Sequence, residues 1–381
     1  MSRMMASWHI LTSEYPPDVG GVSDYTRQVA EALARDGAEV HVWCPPTATT
    51  RASSAVQIHT EPGRFRPSDL RRLSESLDTF PSPRRLLVQW VPHGYGYRSI
   101  NLGFCVWLAG RTRKGDVVEL MVHEPFIELR PGPLRHVAMA LMHRVMTMVL
   151  LRSVTRVLVA IPAWERLLRP YALGRTLRID WLPIPACITP TSESHVPAGE
   201  DDLGLSRPLI GHFGSYGPVV SGLLAGRLPA IMESRLQPSL LLIGAGSEAF
   251  REVLIEKHPA WTGRVRSTGF VETASLPRHL EACDLLLQPY PDGISSRRTS
   301  VMACLSRECA VVTTSGHLTE SLWRESGAVA LVDVADATGF SDAVIRLLQE
   351  PTERRRLAAQ GRSLYAERFD LAHTVSALQA A

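Results

Sequence analysis

Several things that would fix the class of this chain are scarce or missing. Its six cysteines (Cys44, Cys105, Cys187, Cys283, Cys304 and Cys309) lie far apart, with no Cys-x-x-Cys pair and no histidines at zinc-finger spacing. That excludes a disulfide framework or a zinc ribbon as the organising device, and it suits buried thiols in a reducing compartment. No Lys/Arg-rich block with interleaved aromatics occurs, and 41 basic residues stand against 38 acidic ones, so charge gives no argument for nucleic acid. No segment is apolar throughout a membrane-spanning length: the most apolar one, residues 134–151, is interrupted by Arg135, His136, His143 and Arg144. It reads as a core-packed helix, with contact at a membrane surface as the alternative. The first residues lack the basic, apolar and small-residue regions of a signal peptide, so a cytoplasmic location is expected, with a peripheral position at the membrane as its variant. Short-period repeats and low-complexity segments are missing too, which excludes a solenoid.

What is present is an α/β alternation long enough for two domains. At 381 residues, 45% hydrophobic and 21% charged, the composition is that of a globular protein with about two cores. The chain opens as strand (WHILTSE), glycine-bearing loop (YPPDVGGVSD), helix (YTRQVAEALARDG) and strand (AEVHVWCPP). Tyr25, Val29, Ala32 and Leu33 fall at helical spacing, and Gly37 stands where a helix ends. Gly20 and Gly21, in the loop, allow close backbone approach or a positive φ. A short helix is expected at SDLRRLSESL and strands at RRLLVQWVP, DVVELMVHEP, VTRVLVAIP and RTLRIDWLPIP. His93, Tyr95 and Tyr97 lie in the loop after one strand and His123 and Glu124 at the end of the next, where a parallel sheet presents its ligand crevice. They are candidate acceptor-site groups, with plain packing as the alternative.

A polar, Pro/Gly/Ser-rich run from Ala186 to Pro208 reads as a linker. Beyond it the alternation restarts, with glycine loops in PLIGHFGSYGP and SLLLIGAGSEAF that place Gly214, Ser215, Tyr216, Gly244 and Gly246 between strand and helix. The expected boundaries are 1–190 for the first domain, 205–355 for the second and 356–381 for a helical tail packing back across both. The stretch Asp284 to Thr314 (DLLLQPYPDGISSRRTSVMACLSRECAVVTT) reads as strand, loop, helix, strand. Gly293, Ile294, Ser295, Ser296, Arg297, Arg298 and Thr299 then sit at a helix start, where unpaired N–H groups and two cations suit an anion such as a diphosphate.

Taken in order, EYPPDVGGVSDYTRQVAEALARDGAEVHV, IGHFGSYG, LLIGAGSE, TGFVETASLPRHLEACDLLLQPYPDG and VVTTSG resemble family 4 of the glycosyltransferases over nearly the whole chain. The resemblance implies a GT-B fold, two facing Rossmann-like domains with the active site in the interdomain cleft. It also implies transfer of a sugar from a nucleotide-sugar donor to an acceptor nucleophile, with retention of anomeric configuration and no bound metal. UDP-sugar is the favoured co-substrate and GDP-sugar the second, with no further cofactor. The acceptor could be a small molecule, a glycan or a lipid. On this likeness Gly20 and Gly21 lie beside the donor phosphates and acceptor, His123 beside the transferred sugar, and Gly244 to Ser247 near the nucleotide.

The chain departs from the family where many members carry two glutamates about two helical turns apart: those positions correspond to Ser295 and Ala303. The basic pair that many members place after the second domain's first strand is also missing from FGSYGPVVSG. Arg297 and Arg298 are then expected to supply the diphosphate's countercharge, with a solvated charge pair as the alternative. Nucleotide-sugar epimerisation, and a degenerate member that only binds a nucleotide or a partner, remain open at this point.

Overall fold

The structure is a computed structural model and describes residues 7–18, 20–46, 55–96, 99–188 and 204–380. The chain divides into two compact units, Met1–Pro183 with Leu371–Ala381, and Ile184–Asp370.

In the first unit the elements run β1 (Trp8–Leu11), α1 (Gly21–Arg35), β2 (Val40–Trp43), β3 (Gln57–His59), α2 (Pro67–Leu77), β4 (Arg85–Trp90), α3 (Leu102–Arg113), β5 (Val117–Val122), α4 (Leu134–Ser153), β6 (Arg156–Val159), α5 (Pro162–Leu168) and β7 (Arg178–Trp181). The strands are short apolar runs such as WHIL and RLLVQW, buried on both faces as a helix-covered parallel sheet requires. Their order is β3-β2-β1-β4-β5-β6-β7, every pairing parallel, with Trp8 opposite both Val40 and Arg85. The order reverses between β1 and β4, so the loops after those two strands flank the crevice where doubly wound sheets bind ligands. The last helix, Leu371–Gln379, belongs to this unit: Arg85 donates to the carbonyl of Leu378 (3.0 Å) and Arg156 to that of Ala377 (2.9 Å). A buried cation, Arg156, and a partly buried one, Arg85, therefore satisfy carbonyls that a helix C-terminus leaves open.

The second unit runs β8 (Leu209–Phe213), α6 (Pro218–Met232), β9 (Ser239–Ile243), α7 (Ser247–Lys257), β10 (Val265–Ser267), α8 (Leu276–Ala282), β11 (Leu285–Gln288), α9 (Thr299–Ser306), β12 (Val311–Ser315), α10 (Ser321–Glu325), β13 (Ala330–Asp333), α11 (Ala337–Gln349) and α12 (Pro351–Arg368). Its parallel sheet repeats the pattern as β10-β9-β8-β11-β12-β13, with the switch between β8 and β11. Ile210, Leu240, Leu242, Leu285, Leu287 and Val312 from its strands meet Trp261 and Phe340 in one core.

The unit boundaries differ from the expected domain limits for a hydrogen-bonding reason. Ile184 donates its N–H to Ser296 O (3.0 Å) and Ala186 to the Tyr365 hydroxyl (3.3 Å), and both residues are buried. An extended segment cannot satisfy its own backbone, so 184–188 joins the unit that supplies the partners. Of the expected linker, residues 189–203 lie outside the described residues. β3 was not expected either; it is three residues long, partly exposed and set in Pro/Ser-rich surroundings.

Candidate active site

The expected donor-side residues of the second unit come together at the carboxyl ends of β8, β9 and β11. Gly214 and Gly244 meet backbone to backbone: Gly244 has φ +112°, and a Cβ there would stand 2.5 Å from Gly214 O. Gly246, also at positive φ, precedes the first residue of α7, Ser247, whose hydroxyl accepts from Gly269 N–H (3.0 Å). Ser215 is exposed, whereas Tyr216 directs its hydroxyl at the carbonyls of His212 (3.0 Å) and Ile243 (3.3 Å). Tyr216 thus braces the glycine loop.

The loop from β11 to α9 is held by the threonines of β12. Thr313 donates to Gln288 O (2.6 Å), and Thr314 accepts from Tyr290 N–H and donates to Tyr290 O, both at 2.7 Å. Gly293 has φ +86° and packs against Gly316 and Thr319, where a Cβ would come within 2.2 Å of either. Tyr290, buried, donates to Gln288 Oε1 (3.2 Å), accepts from Ser300 (2.7 Å) in the first turn of α9, and lies under the Arg298 guanidinium at 4.5 Å. Arg297 and Arg298 both pair with Asp292, one through each carboxylate oxygen. Burial lowers the affinity of Arg298 for its proton and the neighbouring Arg297 lowers it further, while Asp292 opposes both. Ile294 is fully buried and donates to Thr314 O (2.8 Å). Thr299 opens α9 and is half-buried.

Ser295 and Ala303 are both completely buried, and Ser295 Oγ makes no hydrogen bond among the described residues. A carboxylate does reach Ser296, the neighbour of Ser295, from a different part of the chain. Glu320 Oε1 accepts from Ser296 N–H (3.0 Å) and from Ser296 Oγ (2.5 Å), and Oε2 accepts from Trp323 Nε1 (2.8 Å). Burial holds the Glu320 carboxyl above its ordinary value, and these hydrogen bonds oppose only part of the rise. Asp292, Tyr290, Ser300 and Glu320 were not singled out from the sequence. The usable signal for Glu320 was its place five residues beyond the VVTTS strand, at the same carboxyl edge as the glycine loops.

In the first unit, Gly20 and Gly21 begin α1, and neither adopts a positive φ. Gly20 lies against the end of the Glu14 side chain, where a Cβ would stand 2.5 Å from Glu14 Oε1, and that oxygen accepts from Ser23 N–H (3.0 Å). Burial raises the Glu14 carboxyl despite that bond. His123 is buried with Nε2 2.8 Å from Gln89 Oε1 and its ring edge-on to Tyr25 at 5.0 Å. With Gln89 Oε1 accepting, Nε2 carries the proton and Nδ1 presents a lone pair. His93 and Glu124 lie together on the surface, 3.8 Å apart. Tyr95 is a correction: it is fully buried between Trp90 and Phe104 and donates to Leu11 O (3.2 Å) and Gln89 O (2.7 Å), so no face of its ring is open to an acceptor. Tyr97 lies outside the described residues. No cluster of three or more His, Cys, Asp or Glu suited to a metal ion occurs among the described residues.

Burial lowers His123 to about 3 and, opposed by the bond from His212 Nδ1 to Leu287 O, lowers His212 to about 4, against an ordinary 6.5. Between those values the unfolded chain takes up protons that the folded chain refuses. Their contribution to stability is therefore complete above about pH 6.5 and declines as pH falls, by about 1 kcal/mol per pH unit for each. Urea midpoints measured at pH 7, 6 and 5 should fall in that order, and His123→Gln should flatten the dependence.

The family comparisons agree with this architecture. Residues 20–185 match the family described as "Glycosyl transferase 4-like domain" and residues 207–350 match "Glycosyl transferases group 1", which between them span most of the chain. Among curated proteins, no sequence matches the chain. Sucrose-phosphate synthase from Thermosynechococcus elongatus superposes with a TM-score of 0.73 at 17% identity, covering 98% of each chain. WaaG, a glycosyltransferase involved in lipopolysaccharide biosynthesis, gives 0.68 at 15% over 96% of each chain. HepE of Anabaena, solved with UDP and glucose, gives 0.67 at 16% over 98% of each chain. At these identities the likeness establishes the fold, while the two family matches concern the sequence itself. The chain belongs to the GT4-like glycosyltransferases of GT-B fold, enzymes that move a sugar from a nucleotide-sugar donor to an acceptor.

Proposed function

We propose that the chain transfers a sugar from a UDP-sugar, with GDP-sugar as the second choice, to an acceptor nucleophile with retention of configuration and without a bound metal ion. The observation that carries this reading is the placement of Arg297 and Arg298 at the start of α9, beside the strand-order switch of the second sheet. Departure of the nucleoside diphosphate develops negative charge on its phosphates. Two guanidinium groups and the N–H groups opening α9 meet that charge without a metal. Gly214, Gly244 and Gly246 let backbone approach the nucleotide closely, the exposed Ser215 lies in the same loop, and a UDP-containing relative supports the choice of base.

Retention follows if the acceptor attacks on the face that the diphosphate leaves and a phosphate oxygen takes the acceptor's proton. The protein then supplies position and charge. In the first unit, the neutral His123 ring accepts a hydroxyl of the transferred sugar at Nδ1, and Gly20, Gly21, His93 and Glu124 serve the acceptor side. The acceptor is a small molecule, glycan or lipid.

Peripheral contact with an anionic membrane belongs to the same reading. Helix α4 contains no acidic residue, is apolar on average despite its interrupting Arg and His residues, is only a third buried, and exposes Leu134, Leu141, Val145, Arg135 and Arg152. Sedimentation with phosphatidylglycerol vesicles but not with phosphatidylcholine vesicles is expected, and equal behaviour with both would remove this part.

The reading is tested by thermal shift with UDP, GDP, ADP and their sugars, followed by mass spectrometry of candidate acceptors incubated with the stabilising sugar nucleotide. A shift with one nucleoside diphosphate and an acceptor heavier by one sugar are expected. No shift with any of them would overturn it.

A further inference from the structure

Asp292 carries a negative charge into a site assigned to an anion. Its Oδ2 meets Arg297 Nη2 and its Oδ1 meets Arg298 Nη2, one oxygen for each guanidinium, which is the bridge that two phosphate oxygens would make. The three side chains are only 14%, 18% and 23% exposed, so water screens the cluster weakly.

The backbone of Asp292 is fixed independently of this carboxylate. Its carbonyl accepts from Leu318 N–H (3.0 Å), Gly293 donates to Tyr290 O (3.2 Å), and a Cβ on Gly316 would stand 2.5 Å from the Asp292 carbonyl carbon. The carboxylate can therefore leave the arginines by rotating its own side chain while the loop stays in place. Asp292 already occupies the Nη2 of each guanidinium. A diphosphate binding beside an unmoved Asp292 would meet a third negative group in a weakly screened site.

Resting on the reading of this arginine pair as the diphosphate site, we propose that Asp292 is a resident counter-anion. It holds both guanidinium groups in place when no donor is bound, yields them to the donor diphosphate, and by returning favours release of the nucleoside diphosphate product. Its charge sets how tightly donor and product bind.

Calorimetric titration of the full-length protein with UDP tests this, with uridine as the probe lacking phosphate. Asp292→Asn is expected to bind UDP about fivefold tighter or better and uridine unchanged, while Asp292→Glu, which keeps the charge, gains nothing. Asp292→Ser is titrated in parallel in case the asparagine variant folds poorly. If neither uncharged variant binds UDP more tightly, or if both fail to fold, Asp292 is a structural brace and the proposal is wrong. A double variant Arg297→Ala with Arg298→Ala that keeps normal UDP affinity is a separate outcome: it would overturn the donor-site reading itself.

Discussion

Replacing Arg297 and Arg298 together by alanine is expected to lower kcat/KM for the nucleotide sugar by about a hundredfold or more, from the loss of two charge-assisted contacts each contributing about 1.5–3 kcal/mol. Both side chains belong to one element, the turn into α9, and both are held by the same carboxylate, so neither is a solvated surface charge. Arg298 is further fixed on the Tyr290 ring, whose hydroxyl is tied to Ser300 in the first turn of the helix. A preorganised cation acts most strongly where charge develops during reaction, so kcat should fall as well as affinity. Lysine at both positions keeps the charge but loses the planar fork, and should recover part of the loss. Steady-state kinetics with a saturating acceptor measure this. A double alanine variant within threefold of the parent, about 0.7 kcal/mol, would place the diphosphate elsewhere.

The second large effect belongs to Glu320. Its carboxylate accepts three hydrogen bonds, two from Ser296 and one from Trp323, and Ser296 in turn accepts the N–H of Ile184. Alanine at this position removes the carboxylate to which a buried backbone N–H, a buried hydroxyl and an indole N–H donate. The expected loss is about 2–3 kcal/mol of stability, at about 1 kcal/mol for each hydrogen bond. Because Ser296 directly precedes the arginine pair, the folded fraction should also bind UDP more weakly. Glutamine keeps an acceptor for Ser296 and should retain most of the stability. Urea unfolding of the two variants at pH 7 measures it, and a change below about 0.5 kcal/mol for alanine would show that the loop does not depend on Glu320.

Much of the scaffold was legible because its signals are local. The WHIL, VHVW and LLLI runs, the helical spacing of Tyr25, Val29, Ala32 and Leu33, and Gly37 at the end of α1 each follow from burial and backbone geometry within a few residues. The strand-order switch of each sheet also puts the glycine loops where the alternation of strand and helix suggested. What stayed hidden depends on contacts between segments distant in sequence. Tyr95 lies in a glycine-rich loop and was a candidate acceptor-site group with packing as the alternative; Leu11 and Gln89 offer buried carbonyls that its hydroxyl satisfies, and the ring follows it inward. Gly20 offered close backbone approach or a positive φ; it takes no positive φ, and what it lies against is the carboxylate of Glu14, six residues earlier. Position 295 held the missing carboxylate in the sequence comparison. No local pattern shows that Glu320, after the next strand, reaches the adjacent Ser296. Nor does the sequence show that Asp292 turns back onto both arginines.

The measurement that bears most directly on the central claim is calorimetric titration of the full-length protein, and of its Arg297→Ala, Arg298→Ala variant, with UDP and with uridine. A diphosphate held at the start of α9 predicts that UDP binds about a hundredfold more tightly than uridine to the parent, and that the variant loses this difference while its uridine affinity is unchanged. Equal binding of UDP and uridine by the parent, or a UDP preference that survives loss of both arginines, would contradict it.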